Sequence, residues 1–314
     1  MALNKRQLEF RGPQGTQALI MDFSMSTSLP SLPSAAPQIC TEYPRRIVCL
    51  TDETTETLYL LGEQDRIAGV SGYAHRPPEA RSKPRVSAFR DANFEAILDL
   101  KPDLILTFSD VQAEITRELV LRSATVMNFN QRSVAEILEM IAVLSRMVGK
   151  AEAGLALIEE LRGGLAEIAA AAKAFPYRPR VYFEEWNDPL ISGIQWVEEL
   201  IEIAGGKVLF PELRTCGKAK DRAVDPAEVV RRDPEVILAS WCGMKVNKDA
   251  ICSRAGWEGT TAVRNGHVYE LPSGPILQPG PGSLTEGVRQ LHAILAHVVG
   301  AAAAPGLDSE KSVR

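Results

Sequence analysis

Short apolar runs alternate with amphipathic stretches along most of the chain. Residues 47–50 are an apolar run of strand length, and the polar turn Thr51, Asp52, Glu53, Thr54, Thr55 follows. From Glu56 the positions Leu58, Leu60 and Leu61 suggest a helix that Gly62 stops. Residues 67–70 read as a second strand, with Gly72, Pro77 and Pro78 marking a loop beyond it. Phe94, Ile97, Leu98 and Leu100 predict a helix leading into a strand at 104–107. Ile115, Leu119 and Val120 predict another before a strand at 125–129. Helices alternating with short apolar strands imply parallel β-α units.

Residues 134–148 are helical by periodicity, and residues 150–175 are dominated by Ala, Leu and Glu. Strong helix formers over that span predict a rod of roughly 35–40 Å at 1.5 Å per residue. Gly154, Gly163 and Gly164 weaken it by about 1 kcal/mol each against Ala, and the Gly pair is the expected place for a bend. Alternation resumes at Arg180, Val181, Tyr182 and Phe183. A helix is predicted at 196–203, ended by Gly205 and Gly206, a turn and strand at 266–271, and a last helix at 284–299.

One local pattern occurs twice. Glu95 opens a helical run that ends at Lys101, Pro102, Asp103 and passes into Leu104, Ile105, Leu106. Glu228 opens a similar run that ends at Asp233, Pro234, Glu235 and passes into Val236, Ile237, Leu238. Arg46, Ile47, Val48 recur as Arg180, Val181, Tyr182 at nearly the same spacing. Two lobes of related build, with the Ala-rich helix as connector, favour a ligand clamp. The expected organisation is a flexible leader (1–44), an N-terminal α/β lobe (45–149), a linker helix (150–175), a C-terminal α/β lobe (176–300) and a disordered tail (301–314).

Composition narrows the function classes. A chain of 314 residues, 45% hydrophobic and 24% charged, has room for two ordinary domains. The net charge of −5, without blocks of like charge, offers nothing to nucleic acid or an anionic membrane. No apolar run approaches the ~20 residues of a membrane span. The five cysteines form no C-x-x-C; Cys49 reads as a small buried hydrophobe, and Cys242 and Cys252 as free thiols, with pairing or metal binding as alternatives. The stretch 18–25 is short and broken by Asp22, unlike a secretory signal, and Cys40 follows Pro37, Gln38 and Ile39, a poor lipoprotein context.

An ordered set of segments carries a resemblance. It comprises residues 47–62, Gly69-Val70-Ser71-Gly72-Tyr73 with Pro77-Pro78, and Val86-Ser87-Ala88-Phe89 ahead of Asn93-Phe94-Glu95. It continues with Ile191-Ser192-Gly193, Glu202-Ile203-Ala204-Gly205-Gly206, Asp225-Pro226-Ala227-Glu228-Val229 and Gly256-Trp257. Together they resemble the periplasmic cobalamin-binding proteins of ABC importers, part of a wider family that also binds ferric siderophores and haem. The resemblance implies a class III periplasmic-binding-protein-like fold: α/β, two lobes each with a parallel-rich sheet flanked by helices, bridged by one long α-helix. It also implies a small-molecule ligand, no cofactor of the protein's own, small lobe motions and delivery to a permease dimer by a monomer. Periplasmic placement follows from it, whereas the N-terminus and unpaired cysteines leave a cytoplasmic carrier as the alternative. Glu95 and Glu228 fall where family members meet arginines of the permease, and Tyr73 and Phe89 where cobalamin binders contact the corrin.

Ligands of open α/β sheets sit beyond the carboxyl ends of the strands. The expected cleft loops are 51–55, 72–78, 87–91, 109–110, 184–189, 241–244 and 273–281. They carry the aromatics Tyr73, Phe89, Trp186 and Trp241, whose flat rings suit a large planar guest. Trp196 and Trp257 read as core. The same loops hold Asp52, Glu53, Asp91, Asp110, Glu184, Glu185 and Asp188 against Arg76 and Arg90. An acid-lined groove favours a neutral amide-rich ligand or a positively charged metal complex, such as a corrinoid, over an anionic siderophore. The expected ligand set is Tyr73, Phe89, Asp52, Glu53, Trp186, Glu185 and Trp241, with His75 the weak candidate for an axial metal ligand. The Gln278-Pro279-Gly280-Pro281-Gly282 segment reads as a rigid turn open to a ligand or as an entry to the last helix. An acid-cluster metal-dependent hydrolase is the enzyme alternative, but the chain has no H-x-x-x-H, G-x-S-x-G, P-loop or G-x-G-x-x-G, and no catalytic residue is expected.

Overall fold

The computed structural model describes residues 43–300, so the expected leader up to residue 42, Cys40 and the expected tail lie outside the described residues. The first lobe is built from β1 (Ile47–Cys49), α1 (Asp52–Leu60), β2 (Ile67–Ser71), β3 (Arg85–Ser87), α2 (Phe94–Asp99), β4 (Leu104–Phe108), α3 (Ala113–Leu121), β5 (Val126–Phe129) and α4 (Val134–Met147). Its sheet is parallel throughout, in the order β3-β2-β1-β4-β5. The chain winds outward from β1 through β2 to β3, then returns to β4 on the other side. The strand order reverses between β1 and β4, and their carboxyl ends flank the crevice where such sheets take ligands.

The connector is α5 (Ala151–Ala172), which continues as α-helix through Gly163 and Gly164. Its 22 residues give a rod of about 33 Å at 1.5 Å per residue. Ile158, Leu161, Leu165 and Ile168 form its buried stripe at helical spacing. The second lobe follows with β6 (Arg180–Asn187), β7 (Leu190–Ser192), α6 (Gln195–Ile203), β8 (Lys207–Val208), α7 (Pro226–Arg232), β9 (Val236–Ala239), α8 (Lys248–Cys252), α9 (Thr261–Arg264), β10 (Val268–Glu270), α10 (Ser273–Leu277) and α11 (Val288–Val299). Its sheet runs β10-β9-β6-β7, with β8 also on β6; only the β6-β7 hairpin is antiparallel.

Side-chain alternation along the strands sorts the core into layers. Ile47, Cys49, Leu104 and Leu106 point to α1 and α4, while Val48, Leu50 and Ile105 point to α2 and α3. In the second sheet Val181, Phe183, Val236 and Leu238 share their cluster with α5, α6 and α11, while Tyr182, Ile237 and Ala239 face α7, α8 and α9. The inner cluster is one body: it runs from the first sheet through α5 to the second. Trp196 and Trp257 are core residues.

Three stretches differ from the sequence reading. The polar turn expected at 51–55 is the start of α1, which Asp52 and Glu53 open. The loop expected at 184–189 is mostly strand, because β6 runs on to Asn187 and pairs with β7 through the Asp188-Pro189 turn. Segment 273–281 opens with α10, and a π-helical turn, Ser283–Gly287, precedes α11. Cys242 and Cys252 are free thiols.

Two glycines of α5 separate close packing from helix propensity. A methyl at Gly154 would overlap Ser145 Oγ and Cβ of α4, whereas one at Gly163 meets nothing within 4 Å. Gly154→Ala is expected to destabilise by about 1–3 kcal/mol through overpacking. Gly163→Ala is expected to stabilise by about 0.5–1 kcal/mol through helix propensity alone. Urea unfolding midpoints of the two variants check both signs.

Candidate functional site

In the first lobe the carboxyl ends of β1, β2, β3 and β4 are tied into one platform. The Gln112 side chain, fully buried, donates to Leu50 O (3.1 Å) and Phe89 O (3.0 Å) and accepts from Phe108 N (3.0 Å). It fixes the Phe89 loop to β1 and β4 at the point where the strand order reverses. The Gly72 amide donates to Ser87 O at 2.7 Å, and the Tyr73 amide to Ser71 Oγ at 3.2 Å. The Tyr73 and Phe89 loops are thereby brought together, with the Tyr73 ring 44% exposed and Phe89 half-buried. Gln112 was not among the residues expected from sequence; a glutamine between Asp110 and a helix carries no signal until its three backbone partners are brought together.

The second lobe presents the end of β6. Glu184 is fully buried and accepts from Arg254 twice (2.5 and 2.9 Å) and from Trp241 Nε1 (3.1 Å). Trp241 is thus a buried partner of Glu184. Glu185 holds Arg222 at 2.6 Å, and Arg222, itself 1% exposed, also donates to Ser192 O. Trp186 is half-buried on the strand, with its indole N–H on Asp188 O at 3.0 Å. Glu95 and Glu228 lie elsewhere, in the first turns of α2 and α7. His75 is exposed, and its pKa is lowered by partial desolvation and by Arg81 and Arg85.

The groove is not acid-lined in the way the composition of its loops implied. Glu184, Glu185, Asp110 and Glu56 are paired with Arg254, Arg222, Arg132 and Arg76, none of which adjoins its partner in sequence. Asp52 and Glu53 are buried instead. Burial first, then the neighbouring Glu53 charge, raises the Asp52 pKa to about 8. Burial likewise raises Glu53 to about 7. Near neutral pH the lining is therefore much closer to electroneutral than its acids suggest.

The lobes also meet directly. Pro279, Gly280, Pro281 and Gly282 are buried against the first turn of α1. Gly282 N donates to Glu56 Oε2 (2.9 Å), Gln131 Nε2 to Pro279 O (3.0 Å), and Arg76 pairs with Glu56 (2.9 Å) and with Glu286. Glu53 is sealed beneath Gly280 and does not face an open cleft. A separate groove of about 920 Å³ opens between α4, α5 and α6, over Leu138, Leu155, Ile158 and Leu165. None of the ligand residues expected from sequence lines it. Its volume alone does not make it the site, since it is lined almost entirely by helical residues rather than by the loops that carry the expected ligand residues.

Comparison with known proteins adds an independent view. Residues 47–275 match the family model described as periplasmic binding protein. The cobalamin-binding protein of Halobacterium salinarum is 28% identical over 248 residues, aligning 76% of this chain with 66% of that one, a little under two thirds of its length. The crystal structure of the periplasmic vitamin B12 binding protein BtuF of Vibrio cholerae matches with a TM-score of 0.64 at 25% identity, covering 81% of this chain and 97% of that one. The periplasmic haem-binding protein RhuT of Roseiflexus sp. RS-1 matches with a TM-score of 0.68 at 22% identity over 80% and 99%, a likeness of fold. Among the described residues no helix is long and apolar enough to cross a membrane.

The Glu184 pair is open to a direct test. Arg254→Ala strands a fully buried carboxylate with one indole N–H for company. The expected cost in urea unfolding is about 3–5 kcal/mol, whereas the double change Glu184→Gln with Arg254→Met is expected to recover much of it.

Proposed function

This chain belongs to the periplasmic binding protein family, whose members bind substrates rather than transform them, and on that footing we propose that it holds a corrinoid between its lobes and delivers it to an ABC importer. The proposed lobes are residues 45–149 and 176–300, joined by residues 150–175. The observation that carries the ligand class is the pairing of partly exposed aromatic rings at the strand ends, Tyr73, Phe89 and Trp186, with acids that are neutralised by arginines or by burial. Rings give a planar macrocycle broad contact at small entropic cost, and a near-neutral polar lining suits a periphery of amides. The cobalamin-binding relatives support this choice. A second reading, haem, is favoured by His75: an exposed imidazole with a lowered pKa is neutral at pH 7, the form that ligates iron.

We assign Glu95 and Glu228 to the docking of a monomer on a two-fold permease. Each follows a capping residue, Asn93 for α2 and Asp225 for α7, which accepts a backbone N–H at 3.0 and 2.9 Å respectively. The two acids differ in readiness. Glu95 is exposed, whereas Glu228 is already engaged by Arg231 and Arg232, whose hydrogen bonds hold its pKa down at about 2. Rim charges act mainly on encounter rate and orientation, and Glu95 has the freer charge to offer.

Absorbance titration of the purified protein is expected to show binding of cobalamin or cobinamide, and Tyr73→Ala or Phe89→Ala to weaken it about tenfold, equivalent to ~1.4 kcal/mol. Tight binding of haem or an anionic ferric siderophore with no uptake of corrinoid overturns the assignment. In a reconstituted importer, Glu95→Arg is expected to slow transport more than Glu228→Arg, with corrinoid affinity unchanged in both; equal transport by wild type and both variants removes the docking role.

A further inference from the structure

The lobes are joined at a second place besides α5, and that joint is built on buried acids. Residues 278–282 of the second lobe lie flat on the first turn of α1. Glycine is required for that approach: a Cβ on Gly280 would sit 2.5 Å from Glu53 Cβ, and one on Gly282 would sit 2.7 Å from Arg76 Nε. Glu56 accepts both the Gly282 N–H and Arg76 Nε at 2.9 Å, and Arg76 reaches across to Glu286. Beneath this strap both Glu53 carboxylate oxygens are buried without a hydrogen-bond partner, as is Gln131 Oε1 beside Pro279. Glu53 itself is 1% exposed. A carboxyl in that state is tolerable while neutral and costly as an anion.

We propose that residues 278–282 and the first turn of α1 form a proton-dependent clasp between the lobes, fastened while Glu53 is protonated and loosened when it ionises. Ionisation places a second charge beside Glu56 in a dry interface, and it is relieved only if water enters and the strap lifts.

The surroundings give the direction. On α1 the facing acids are Asp52, Glu53 and Glu56 themselves. From β1 comes the Cys49 thiol, kept protonated by burial with its pKa pushed up to about 12. The loop after β2 supplies Arg76, which is paired with Glu56. The segment before α4 supplies the neutral Gln131, and the π-helical turn supplies Glu286, which is occupied by Arg76. The strap itself carries no titratable side chain. With a folded pKa of about 7, Glu53 is protonated at pH 5.5 and ionised by pH 9. Because the value is raised, the stabilisation is complete below the ordinary carboxyl range and is lost as pH rises through about 7.

Amide hydrogen exchange of the ligand-free full chain, corrected for intrinsic rates, tests the clasp independently of which ligand is bound. Between pH 5.5 and 9 the protection of the peptide spanning 278–286 is expected to fall roughly tenfold or more, while that of α11 holds. The variant Glu53→Gln is expected to keep that protection level across the range. Protection that is flat in the wild type, or that falls equally in Glu53→Gln, overturns the proposal. Should Glu53→Gln not fold, Glu286→Gln serves: it leaves Glu53 in place and is expected to lower protection at every pH with an unchanged midpoint. An unaltered profile for Glu286→Gln likewise overturns it.

Discussion

One continuous body of apolar side chains, running from the first sheet through α5 into the second, is what the architecture rests on. A helix of 22 residues draws most of its stability in a folded protein from packing of its apolar stripe. Here α4 covers it on one side and α6 and α11 on the other, so neither lobe closes its core without the connector. The closeness of α4 to α5 depends on Gly154 lying against Ser145. The lobes are therefore held in orientation by packing, and large hinge motion would expose core surface.

Charge is handled in the same frame by burial and pairing. At the end of β6, Glu184 and Glu185 are clamped by Arg254 and Arg222, so the strand end is stiff and close to neutral. At the start of α1, by contrast, two acids are kept neutral by the absence of water rather than by a cation.

The same two devices explain how the platform is assembled. Gln112 satisfies three backbone groups with one amide, which holds the Phe89 loop on the carboxyl ends of β1 and β4. The wide groove beside α5 shows that volume and position are different criteria. That groove is lined by helices α4, α5 and α6, whereas the strand ends bring together loops that carry aromatic and polar side chains.

The strands at 47–49, 67–71, 104–108 and 126–129 and the connector helix are legible in the sequence, because parallel strands and a buried helix write their burial as apolar runs and periodicity. The repetition of the Glu95 and Glu228 segments likewise shows two related halves without any coordinates. Local pattern failed where tertiary contact decides. Strand β3 holds a single apolar residue, the end of β6 is charged and polar, and the first turn of α1 reads as a loop until the second lobe covers it. The candidate site divides the same way. Tyr73, Phe89 and Trp186 could be named from residue type and loop position, but the burial of Trp241 and Glu53 and the arginines that cancel Glu184 and Glu185 could not. Sequence alone determines which segments must hide from water; which distant cation or backbone lies against each buried acid is decided only when the chain is folded, because electrostatic partners are chosen by distance in space.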